Sequence, residues 1–90
     1  MDVMSSEQNS QFKQVIETVQ EAREAVENAQ SNVNMQNLQQ AQQRLHLAEQ
    51  RLLHFREHSL QYLSHEEQNE LQHAEELLQH LQEAEQSIER

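Results

Sequence analysis

The chain contains no glycine, no proline and no cysteine. Without cysteine there is neither a disulfide scaffold nor a thiolate zinc site. Without glycine there is no phosphate-cradling loop, and turns that depend on Gly or Pro are excluded as well. Tryptophan is also absent, and Phe12, Phe55 and Tyr62 are the only aromatic residues. Apolar residues fill 34% of the 90 positions, against about 45–50% in ordinary globular domains. No apolar run is longer than a pair such as Leu52-Leu53, so neither a transmembrane helix nor a signal-peptide core is expected.

Basic residues are scarce too. Sixteen acidic side chains face six Lys and Arg, for a formal charge of −10 with neutral histidines. Phosphate backbones are bound through Lys and Arg with release of counterions, so nucleic acid is not an expected partner. Anionic membrane surfaces are disfavoured for the same reason. A partner should be apolar or basic where it touches. The missing cysteines and the lack of an export signal suit a cytoplasmic protein.

What the chain does have is helix-forming residues in a helical rhythm. Glu, Gln, Ala and Leu dominate, and these lose little side-chain entropy in a helix. Phe12, Val15, Val19, Ala22, Val26, Ala29 and Val33 are spaced 3, 4, 3, 4, 3, 4, an unbroken heptad seam. Leu38, Ala41, Leu45, Ala48, Leu52 and Phe55 repeat the pattern, as do Leu71, Ala74, Leu78 and Leu81, with Leu77, Ala84 and Ile88 as a second line. Two breaks interrupt the seams. Residues 31–37 hold three asparagines, which cap helices and tolerate left-handed backbone, so they can replace glycine at a turn. Around residues 59–64 the second break ends in Ser64-His65-Glu66-Glu67, which reads as a capping box; Ser5 with Gln8 offers a similar start to the first helix. The spacing predicts helices over about 6–31, 35–59 and 65–88, after a flexible segment at 1–5. The expected fold is all-α: one antiparallel, up-down-up three-helix bundle with coiled-coil-like heptad packing, able to self-associate.

Charge supports that order. Residues 1–34 carry two basic and six acidic groups, residues 35–60 three and two, and residues 61–90 one and eight. The cations of the middle helix, Arg44, Arg51 and Arg56, would therefore lie between two acidic neighbours. The seams are narrow and rich in alanine, which allows close approach but buries little area. A second copy would share the thin seams and cover Leu47, Leu53, Leu60 and Leu63, so the balance favours a homodimer. The run Gln39-Gln40-Ala41-Gln42-Gln43 keeps its heptad apolar residue and reads as helix surface.

Three arrangements carry chemistry worth weighing. His54-Phe55-Arg56-Glu57-His58 matches H-x-x-E-H, in which two imidazoles one turn apart can hold zinc beside a glutamate base. Catalysis also needs a third ligand and a cleft, which a thin bundle hardly supplies, so no enzyme is expected. Glu70-Leu71-Gln72-His73 is half of a di-iron motif without its second copy. Glu66, Glu70, His73, Glu76, His80 and Glu83 form a stripe on one face of the third helix. Histidine titrates between about pH 7 and pH 5.5, and protonation there would place cations between carboxylates. The stripe reads first as a solvated acidic face with incidental histidines; as a pH-sensitive face, it should make helicity or association rise across that interval, and a flat circular-dichroism signal would count against it. His54, His58, His73 and His80 are the candidate metal ligands; no resident cofactor and no catalytic residue is expected.

The stretch Ala41-Gln42-Gln43-Arg44-Leu45-His46-Leu47-Ala48-Glu49-Gln50-Arg51-Leu52-Leu53 is similar to the short, acidic, Gln- and Glu-rich helical proteins of spore-forming Gram-positive bacteria, a group of unknown function. The likeness spans roughly residues 10–88 and implies a helical fold; no functional residue is carried over from it. The function read from the residues is a non-enzymatic module that pairs helices with a partner protein or a second copy. The alternative is a helical protein that responds to pH or to divalent metal through its histidines and glutamates.

Overall fold

A computed structural model describes residues 3–88, with side chains for all of these except 3–9 and 60. The chain forms α1 (Val3–Ser31), α2 (Met35–Ser59) and α3 (His65–Gln86), with one 3-10 turn, Leu60–Tyr62, before α3. All three helix pairs touch, and no strand occurs among the described residues. The helix starts at 35 and 65 and the ends at 31 and 59 fall where the spacing predicts them, whereas α1 opens at Val3 and α3 closes at Gln86. Of the expected flexible segment, Met1 and Asp2 lie outside the described residues and residues 3–5 are helical. The Ser5–Gln8 start involves side chains outside the described ones.

Cross-helix contacts give the direction of each element. Phe12 stacks at a tilt on Phe55 with ring centroids 5.8 Å apart, and Arg44 reaches Glu21 at 3.0 Å, so α1 and α2 are antiparallel. Arg56 meets Glu75 at 3.3 Å and Gln82 meets Glu49 at 3.1 Å, so α2 and α3 are antiparallel too. The result is an up-down-up rod with extents of 51 × 19 × 18 Å.

The seam residues form the core. Every member of the α1 seam from Phe12 to Ala29 is buried, as is every member of the α2 seam from Leu38 to Phe55 and of the α3 seam from Leu71 to Leu81. Antiparallel register explains the alanines. With Phe12 opposite Phe55, Val19 lies level with Ala48, Ala22 with Leu45, Val26 with Ala41 and Ala29 with Leu38. From Val19 to Ala29 large faces small, which lets the two backbones approach closely, whereas Phe12 with Phe55 and Val15 with Leu52 set large against large at the other end. Leu77, Ala84 and Ile88 pack half-buried against this core, together with Ile16 and Ala25.

Some expectations need correction. Val33 is not part of the seam: α1 ends at Ser31, and Val33 is 47% exposed in the connection. The asparagines of that connection cap rather than turn left-handed, and no described residue has positive φ. Asn34 Oδ1 accepts from the Asn37 backbone N–H at 2.8 Å, and Asn37 Nδ2 donates to the Asn32 carbonyl at 2.8 Å. Both polar ends of this turn are thereby satisfied without glycine. Leu63, expected at the surface, is buried, because the 3-10 turn folds it back beneath the end of the bundle. Ser64 caps α3 as expected: its hydroxyl accepts from the Glu67 N–H, and the Glu67 carboxylate accepts from the Ser64 N–H, a complete capping box.

Three buried polar residues escape a purely apolar pattern: Thr18, Ser59 and Glu85. The Thr18 hydroxyl donates to the Gln14 carbonyl at 2.7 Å and accepts from Arg51 at 3.0 Å. Glu85 stands four residues after Leu81, so it continues the heptad seam of α3 and enters the core with a carboxylate. Gln42 Nε2 donates to it at 3.2 Å, and no buried side-chain polar atom is left unpaired among the described residues.

Candidate functional site

The four candidate histidines lie on surfaces, in two separate places. His54 and His58, one turn apart on α2, are exposed, with ring centroids 4.5 Å apart and planes inclined at 51°. This is the separation that i and i+4 side chains reach on one helix face. Glu57 is exposed beside them. His58 and Arg56 lie in the last turn of α2, where positive charge complements the carbonyl end of the helix. His73 and His80 are exposed on α3, seven residues and therefore about 10 Å of helix rise apart, and do not converge. His73 Nδ1 stands 3.9 Å from Glu76 Oε2. No group of three or more His, Cys, Asp or Glu side chains able to hold a metal occurs among the described residues. The structure thus pairs His54 with His58 and His73 with Glu76, and brings a third donor to neither.

The acidic stripe of α3 is real as geometry: Glu66, Glu70, His73, Glu76, His80 and Glu83 are all exposed. Glu70 and His73 have a second role. With Ala74 and Leu77 of α3, and Ile16, Val19 and Gln20 of α1, they line a groove of about 280 Å³. Its floor is apolar, formed by Val19 and Ala74 at the edge of the core, and its walls are the half-buried Ile16 and Leu77.

Grooves also run along the other two seams, one of about 480 Å³ beside Val15 and Phe55 between α1 and α2, but hydrogen bonds and ion pairs cross those seams. Arg44–Glu21 and Arg51–Thr18 lace α1 to α2, while Arg56–Glu75, Gln42–Glu85 and Gln82–Glu49 lace α3 to α2. Across the groove, between residues 16–23 of α1 and 66–77 of α3, no hydrogen bond or ion pair crosses among the described residues. The three arginines of α2 are thus all used on the bundle's own neighbours. The charge pattern foretold that the α2 arginines would face acidic neighbours; the particular partners Glu21 and Glu75, and the choice of a threonine hydroxyl by Arg51, were not readable from it.

The spacing singled out Leu77 as off-seam but not Ile16. The available signal was the pair Val15-Ile16, in which one β-branched residue takes the seam and the next must lie beside it. Two further facts concern identity. No helix among the described residues is long and apolar enough to cross a membrane. No family model, no curated protein and no solved structure matches the chain.

Proposed function

We propose that this chain is a non-enzymatic helical interaction or assembly module, acting in the cytoplasm by pairing its surface with a helix of a partner protein. The observation that supports this reading is the groove between α1 and α3. The heptad seams are already buried within the chain, yet Ile16 and Leu77 remain half-covered around an apolar floor. Contiguous apolar surface of this kind is what helix-in-groove recognition uses. The other exposed apolar residues, Val33, Met35, Leu53 and Tyr62, are scattered over the two connections and the outside of α2. Self-association has less surface to work with than the sequence suggests, because Leu63 is buried and Leu47 is half-buried.

The test is site-specific photo-crosslinking in cells. A photoreactive residue at Leu77 or Leu53 should yield adducts with another protein or with a second copy, and one at the exposed Gln39 should not. Absence of adducts from both Leu77 and Leu53 would end the reading.

A narrower second reading has its own support. The neighbouring His54 and His58 rings offer two imidazoles to a divalent cation. Calorimetry with nickel at micromolar concentration should release heat that His58→Ala abolishes. No heat would remove this reading and leave the first untouched.

A further inference from the structure

We infer that the groove between α1 and α3 seats a Lys- and Arg-rich amphipathic helix of another protein, lying along the bundle as a fourth helix. This rests on the interaction reading above and names the chemistry of the partner.

Charge decides the occupant. From residue 65 to residue 88 the chain carries seven glutamates and no lysine or arginine. Glu70 lines the groove directly, and Glu66 lies one turn before it on the same face. Neither makes an ion pair among the described residues. On the α1 bank Gln20 lines the groove, Arg23 is held by Glu27 at 3.7 Å, and Lys13 is the other cation of α1. An apolar floor beside one bank of unbalanced negative charge, that of α3, complements a helix with leucine-type residues on one face and lysine or arginine on the shoulder that meets α3.

A second copy of this chain does not meet that description. The arginines of α2, Arg44, Arg51 and Arg56, are engaged with Glu21, Thr18 and Glu75 of their own bundle, and Arg23 of α1 is engaged with Glu27, which leaves Lys13 as the one helix cation without an ion pair or side-chain hydrogen bond among the described residues. A copy docked through its own α3 would bring acidic bank against acidic bank, which is repulsive. The span from Glu70 to Leu77 is two helical turns, about 10 Å. That length accepts two or three apolar side chains at i, i+3 or i+4, and i+7 of the incoming helix.

The experiment uses three synthetic helical peptides as probes: one amphipathic with Leu and Lys, one with the same leucines and Glu for Lys, and one with the Lys/Leu composition scrambled to destroy the apolar face. Fluorescence anisotropy with the full chain should show saturable binding of the first alone. The scrambled peptide should bind at least about tenfold more weakly, since charge without the apolar face lacks the buried contacts. Leu77→Ser, and separately Glu66→Lys with Glu70→Lys, should each weaken the first peptide by about tenfold, and Arg44→Gln on the far side should change it by less than about twofold. Circular dichroism checks that each variant remains helical. Because Leu77→Ser can loosen the bundle, the two exposed glutamate changes are the decisive pair. Equal binding of the first and scrambled peptides, indifference to the glutamate reversal, or no saturable binding each overturns the inference. If the peptides fail while crosslinked adducts from Leu77 persist, only the basic-helix partner falls; adducts with this same chain would make the occupant a second copy. If adducts from Leu77 and Leu53 are absent as well, the interaction reading falls with it.

Discussion

The seams that α2 makes with its neighbours and the seam between α1 and α3 are built from the same kinds of residue, yet they end differently. Along α2, alanines meet larger residues over much of the length, and hydrogen bonds and ion pairs to α1 and α3 cross the edges. Between α1 and α3 the edge is left as an apolar groove with an acidic bank on α3 and no polar bridge across it among the described residues. The difference follows from where the cations are. A middle helix with three arginines can be bridged to both acidic neighbours, but the two acidic helices have almost nothing to offer each other. Closing the last edge of a three-helix bundle thus depends on charge that this sequence spends elsewhere.

Substitutions at these seams test the difference directly. The largest effect should come from the shared core. Leu71 is 2% exposed, and Leu71→Ala should cost about 2–5 kcal/mol in urea unfolding followed by circular dichroism. In a bundle this slender that is enough to abolish the cooperative transition. Ile16 and Leu77, on the groove, are only half-buried. Leu77→Ala should therefore cost about 1 kcal/mol, and an equal loss at both leucines would show that the groove is core after all.

Ser64→Ala removes one half of the capping box and should cost about 1 kcal/mol in the same measurement. Glu85→Leu should act in the opposite direction. It replaces a carboxylate in a heptad core position, near the carbonyl end of α3 where negative charge is disfavoured. Gln42, one of its partners, is exposed and can turn to water, so the variant should gain about 1 kcal/mol in thermal unfolding. A loss would mean that the Glu85 contacts hold the register of α2 against α3. The smallest effect belongs to Arg44→Gln. Its pair with Glu21 is half exposed on both sides and should contribute less than about 0.5 kcal/mol, reduced further by salt.

Much of this molecule was legible before any coordinates. The 3-4 spacing names the core of all three helices, since a residue every 3.5 positions can face only one side of a helix. Ser64 with Glu67 marks the start of α3, because that cap is a local exchange of two hydrogen bonds. Val33 was misplaced because the rhythm continues two residues past the point where α1 stops, and periodicity carries no information about helix ends. Leu63 was misplaced because a single 3-10 turn, invisible in the spacing, redirects it inward. Glu85 lies on the heptad rhythm, but a pattern of apolar residues does not register a carboxylate. In the core it accepts from Gln42, which reaches it from a different helix. Of the candidate sites, the facing of the histidines and of the acidic stripe followed from helical spacing. The absence of a third donor at either histidine pair, among the described residues, depends on which helix lies opposite.

The sequence by itself determined the three helices, their inward faces and their order of charge, because each is a relation among residues no more than one or two turns apart. Tertiary structure alone decided which arginine takes a carboxylate and which a hydroxyl, that a glutamate enters the core, and that no polar contact among the described residues bridges α1 to α3 beside Ile16 and Leu77. Those outcomes join residues tens of positions distant in the chain, and they arise only when the rods are laid side by side and their edges compete for the few cations available.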